Sequence, residues 1–128
     1  NVLQTAQPKY LETKYSKNSF LLAKENTQAI QYLWEGRTTS GLNKIGFDDY
    51  LNSFETNGQT IKTNTLNDFS TLVAYFDNYS SDMKTELETN YNPVYSHFEM
   101  YHSMVYHLKS ELPSTISILI TYQDNDGD

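Results

Sequence analysis

The sequence predicts an all-α fold, an up-and-down helical bundle with a short extended segment at its C-terminus. Three observations predict it. Val94, Phe98, Tyr101, Val105, Leu108 and Leu112 alternate spacings of four and three residues, the seam of a bundle helix. Leu22, Ala29 and Leu33, flanked by Ala23, Ile30 and Trp34, form a second stripe at helical spacing. Ile116, Ile118, Ile120 and Tyr122 instead alternate with Thr115, Ser117 and Thr121, a period of two that suits an extended segment docked on an apolar surface.

In chain order, residues 8–15 read as a short helix, since Pro8 is tolerated in a first helical turn. Asn18 or Ser19 caps the next helix, which runs to Glu35 and stops at Gly36. Thr, Ser, Gly and Asn dominate residues 37–46, which reads as a loop before a short amphipathic helix from Phe47 to about Phe54. Asn57-Gly58 marks a turn between helices. Thr65 with Asp68 three residues on resembles a capping box and opens a helix carrying Leu66, Phe69, Val73, Phe76, Met83 and Leu87 on one side. Residues 90–92 break it, Pro93 starts the seam helix, and Pro113 ends or kinks that helix at Leu112.

Length and composition set the limits. Residues 1–128 have room for a single helical domain with one core, and 14% aromatic content, including 11 Tyr, is too rich for a disordered chain. Nine basic against 16 acidic residues give a net charge of −7, which disfavours nucleic acid and anionic lipid as partners. The absence of cysteine rules out disulfides, thiolate metal sites and cysteine nucleophiles. No stretch approaches the roughly 20 apolar residues that span a bilayer. A start at Asn1 without Met or a signal-like segment leads us to expect a piece of a longer protein.

No complete catalytic set stands out, so an enzyme is not the favoured reading. His97, His102 and His107 are spaced by five, which turns successive rings about 140° apart on a helix, so they do not converge. Glu99 and His102 form one Glu-x-x-His pair, the unit of di-iron bundles, which need two such pairs and further carboxylates. The pair reads as a polar flank of the seam, with metal ligation as the alternative. Asp48-Asp49 at a helix start suits the dipole and the free N–H groups there, and the alternative is lining a cleft between domains. Asp124-x-Asp126-x-Asp128 imitates the opening of a calcium loop without its glycine or distal glutamate, and reads as a solvated tail.

Taken together, several segments resemble the C-terminal portion of an imelysin-family protein of the Bacteroidetes lipoprotein type. They are the helix around Pro8–Ser16, the run Ala29-Ile30-Gln31-Tyr32-Leu33-Trp34-Glu35-Gly36, the stretch Gly46-Phe47-Asp48-Asp49-Tyr50-Leu51, and the terminus. There Leu108-Lys109 and Pro113 lead into Ile120-Thr121-Tyr122-Gln123 and end in Asp126-Gly127-Asp128.

The resemblance implies two helical bundle domains side by side with a functional cleft between them, this chain being the C-terminal half. It implies an envelope lipoprotein, periplasmic or anchored to the outer membrane, with the anchor outside this chain and a link to iron uptake. An insulin-cleaving metallopeptidase activity also belongs to the family. The family's Gly-x-His-x-x-Glu motif lies in the N-terminal domain, and no histidine here has glutamate three places later. Iron or another divalent metal is therefore expected only in the complete protein, with no cofactor in this chain alone.

What carries over is Gly46, Phe47, Asp48, Asp49, Tyr50, Leu51 and the terminal Asp126, Gly127 and Asp128, as family-characteristic positions. Candidate metal ligands reduce to Asp48, Asp49, Glu99 and His102. The leading expectation is a binding role in iron acquisition, with an N-terminal domain or chain carrying Gly-x-His-x-x-Glu, or another envelope protein, as partner. Half of a metallopeptidase and a metal-independent interaction module are the alternatives.

Overall fold

The computed structural model describes residues 7–11 and 15–118, and among these the regular elements are all helical. Helix α1 spans Ser19–Trp34, α2 Phe47–Tyr50, α3 Glu55–Tyr75, α4 Met83–Thr89, α5 Tyr91–Tyr106 and α6 Leu112–Thr115. Short 3-10 turns at Pro8–Tyr10, Leu51–Ser53 and Phe76–Asn78 and a π-helical segment at His107–Glu111 join or extend them.

Helix α1 ends because Gly36 takes φ +65°, a conformation that costs glycine little. That turn lets the Arg37 N–H reach the Tyr32 carbonyl (2.7 Å) and the Gly36 N–H reach Leu33 (3.3 Å), closing a Schellman motif. The loop beyond returns on itself through an isolated Arg37–Asn43 bridge and a Lys44 N–H bond to the Gly36 carbonyl.

Helix α3 is the central element and packs against both α1 and α5. Lys24 near the start of α1 meets Asp77 just past the end of α3, while Trp34 at the end of α1 meets Phe69. His97 in the first half of α5 bonds Leu72, and His107 beyond its end reaches Asp68. Each neighbour therefore runs against α3, as an up-and-down bundle requires. Phe69 and Leu51 are fully enclosed, and Trp34, Ile61, Leu72 and Met104 complete the core.

The elements differ from the sequence reading at several points. Residues 8–10 form a 3-10 turn rather than the opening of a longer helix. Asn57-Gly58 is not a turn but lies inside α3, where Gly58 is buried; Thr65 lies mid-helix and buried, not at a cap. The apolar run expected to continue from Phe69 to Leu87 is broken after Phe76 by residues 79–82, and Asp82 caps α4 through the Thr85 N–H. The break expected at Asn90 is present between α4 and α5.

Two stripes are rotated from their expected faces. On α1, Leu22, Ala29, Ile30 and Leu33 are exposed, and the helix buries Thr27 and Trp34 instead. Thr27 can be buried because its Oγ1 donates to the Ala23 carbonyl and shares a 2.5 Å hydrogen bond with the Tyr101 hydroxyl. On α5, Phe98 and Val105 are exposed while His97 and Met104 face the core, with Tyr101, Leu108 and Leu112 packed beside it. At the C-terminal end, Pro113 cannot donate to a helical bond, and the wider π turn before it absorbs the misfit. Ile116 and Ser117 then form a turn, with Ser117 at φ +54°, so the extended segment does not begin at Ile116. Its remainder, residues 119–122, and the Asp126-Gly127-Asp128 terminus lie outside the described residues.

His97 is the buried histidine of the bundle. One ring nitrogen lies 3.0 Å from the Leu72 carbonyl and the other 3.1 Å from the Tyr79 hydroxyl, and the rings of Tyr75 and Phe76 enclose it. Neutral imidazole suits both contacts, donating to the carbonyl and accepting from the phenol. Burial holds its pKa below the ordinary 6.5, although the bond to Leu72 opposes the shift. The unfolded chain therefore binds this proton first, and stability should fall as pH drops below about 6.5, by up to ~1.4 kcal/mol per pH unit. Urea denaturation between pH 7.5 and 5 measures it, and His97→Gln should flatten that part of the profile.

Candidate functional site

The segment Gly46–Leu51 is one built unit at the end of α1. Gly46 carries no side chain because none would fit: a Cβ there would stand 2.3 Å from the Glu35 carbonyl carbon and 2.4 Å from the Trp34 carbonyl oxygen. The close approach brings the start of α2 directly onto the last turn of α1. Asp49 then accepts from the Gly46 N–H at 3.1 Å, so the third residue of α2 caps its own entry. Leu51, one residue past α2, is fully buried.

Asp48 and Asp49 share one cation, Lys62 of α3. Its ammonium lies 3.2 Å from Asp48 Oδ2 and 3.4 Å from Asp49 Oδ1. Burial disfavours the charge on Lys62, but the hydrogen bonds and charges of Asp48 and then Asp49 outweigh it, and the ammonium is held above its usual range. Asp48 is 8% exposed, and its Oδ1 is buried without a hydrogen-bond partner. The sequence signal for Lys62 was available: it is the sole charged residue between Glu55 and Asp68. What hid it was the reading of residues 57–64 as a connection rather than as part of α3.

Removing the cation should be costly, because it leaves a buried carboxylate uncompensated. We expect Lys62→Met to lower stability by about 2–3 kcal/mol. Paired urea denaturation curves of the variant and the wild type at neutral pH measure it.

The other two metal candidates stand apart from this unit. Glu99 and His102 are exposed on α5, where Glu99 bonds the Tyr95 hydroxyl and the His102 ring lies 4.4 Å from that of Phe98. Among the described residues no three His, Asp or Glu side chains form a group that could hold a metal ion. Asp48 and Asp49 are engaged with the Lys62 ammonium, and the four candidates do not converge on one metal.

Around the charged unit the surface is aromatic and apolar. Trp34, Phe47, Tyr50 and Phe54 form a chain of ring contacts with centroids 5.0, 5.7 and 5.1 Å apart in that order. Phe47 and Tyr50 are partly open to solvent, Leu33 is 79% exposed and Ile45 is 90% exposed. Ile30 and Leu42 are exposed as well. Exposed apolar and aromatic side chains of this kind suit protein docking.

Among the described residues no helix is long and apolar enough to cross a membrane. No protein-family model, curated protein or solved structure matches the chain.

Proposed function

We propose that this chain is the C-terminal helical domain of an imelysin-like envelope protein, and that it serves iron acquisition by binding a neighbouring domain rather than by catalysis. The observation that carries the binding role is the outward-facing stripe of α1. A helix whose best apolar positions, Leu22, Ala29, Ile30 and Leu33, are exposed is built to be covered. Ile45, Phe47 and Tyr50, in or next to the segment that resembles the family signature, are exposed too, and Phe47 packs on Trp34 at the end of α1. Its two carboxylates are committed to Lys62 and the Gly46 N–H, which supports a structural role for them. On this reading, metal in the complete protein belongs to the partner domain's Gly-x-His-x-x-Glu motif, and the protein sits in the periplasm or on the outer membrane.

Two results test it. The parent polypeptide should contain a Gly-x-His-x-x-Glu segment N-terminal to this domain. Disrupting the parent gene should lower cellular iron accumulation during iron limitation, and a Leu33→Asp/Ile45→Asp variant should fail to restore it. Normal accumulation in the disrupted strain would remove the iron role. The same exposed face also favours a metal-independent interaction module, which would keep its partner in the presence of chelator and leave iron accumulation unchanged.

A further inference from the structure

His107 has a carboxylate at each ring nitrogen. Nδ1 lies 2.5 Å from Glu111 Oε2 within the π-helical segment, and Nε2 lies 3.6 Å from Asp68 Oδ2 on α3. A neutral imidazole has a single N–H, so it can serve one carboxylate and must turn a bare lone pair toward the other. The imidazolium donates on both sides. Asp68 needs that second donor, because its Oδ2 is buried and has no hydrogen-bond partner. We propose that His107 is a proton-operated clasp: when protonated it fastens the π-helical end of α5, and with it α6, to α3, and when neutral it lets that end loosen.

The surroundings favour such a device. The π turn replaces regular α-helical bonding and leads directly into a four-residue helix that begins Leu112-Pro113. Among the described residues, Asp68 from α3, Glu111 from its own segment and the Tyr106 ring from the end of α5, with centroids 6.1 Å apart, face His107, and α6 contains no ionisable side chain. Burial raises the Asp68 pKa, an effect that the His107 charge opposes and the Glu111 charge reinforces. Glu111 also lines the groove between α3 and α6, of about 300 Å³, with Asn57, Thr60, Asn64, Ser114 and Thr115. Release of the clasp would therefore change that groove.

The sign is opposite to that of His97. The clasp contributes when the ring carries both protons and is lost once the ring gives one up. His97 weakens the whole fold at the acid end, whereas the clasp acts on one end of it. Amide hydrogen exchange of the chain, corrected for intrinsic rates, separates the two. Between pH 6 and about pH 8, protection of residues 107–116 should fall roughly tenfold relative to α1, about the worth of one charge-assisted hydrogen bond. His107→Gln and Asp68→Asn should each abolish that local step. Equal relative protection at both pH values would overturn the proposal, as would a step that persists in either folded variant. The wild-type comparison decides the matter even where a variant does not fold.

Discussion

Replacing Gly46 by alanine is expected to lower stability by about 3 kcal/mol or more, an unusual penalty for one methyl group at a half-buried loop position. The backbone conformation is not the reason, since Gly46 has φ −108°, which alanine adopts freely. The reason is contact: the new Cβ would stand 2.3–2.5 Å from backbone atoms of Glu35, Trp34 and Gly36, and backbone cannot swing aside as a side-chain tip can. Relief requires α2 to lift off α1, which would disturb the Asp49 cap, the Asp48–Lys62 pair and the burial of Leu51 together. Gly41→Ala is the control. Gly41 has φ +80°, but nothing lies within 4 Å of where the new methyl would stand, so only the backbone cost of about 1–2 kcal/mol applies. Urea denaturation of both variants measures the difference through the midpoint.

Phe69→Ala should cost about 3–5 kcal/mol. Phe69 is fully buried in the middle of α3, where that helix meets both neighbours, and its ring lies 6.5 Å from that of Trp34. Truncation removes the transfer energy of the ring and leaves a cavity between α1, α3 and α5 that the surrounding helices cannot easily close. In a chain with a small core, that is a large share of the total stability, and thermal unfolding should show a strongly lowered midpoint. A loss below about 1 kcal/mol would mean that the core is centred elsewhere.

The helical class, the end of α1 at Gly36, the break at Asn90 and the distortion before Pro113 were legible because each rests on local chemistry: a left-handed glycine, a break between helical patterns, and a proline without an N–H. The start of α3 was not. Residues 55–64 are rich in Thr, Asn and Gln and contain Gly58, so their own propensity favours a turn. They are helical because Ile61 is buried and because Gly58 lets the Leu51 carbonyl come within 2.1 Å of where a Cβ would sit. Tertiary contact outweighed local preference there.

The rotated stripes have a related cause. Periodicity identifies an apolar face without saying which molecule covers it. On α1 the structure buries Thr27, whose hydroxyl is satisfied by Ala23 and Tyr101, and leaves Leu33 outside. The burial of His97 was likewise not legible, because a buried imidazole is acceptable only once the Leu72 and Tyr79 partners are known. Within the candidate site, the segment Gly46–Leu51 could be singled out from its residues. Its pairing with Lys62 could not, since that pair joins elements whose relative placement no local pattern encodes.

A neighbouring domain over Leu33, Ile45, Phe47 and Tyr50 in the complete protein would be seen by hydroxyl-radical footprinting of that protein from its source. Tyr50 and Tyr106 are comparably exposed in the chain, at 52% and 59%, so Tyr106 supplies an internal reference. Leu33, Phe47 and Tyr50, each corrected for its intrinsic reactivity, should be oxidised several-fold more slowly than the reference, as residues under a neighbouring domain would be. Oxidation of all three at rates matching their exposure in the chain would contradict a covering domain there.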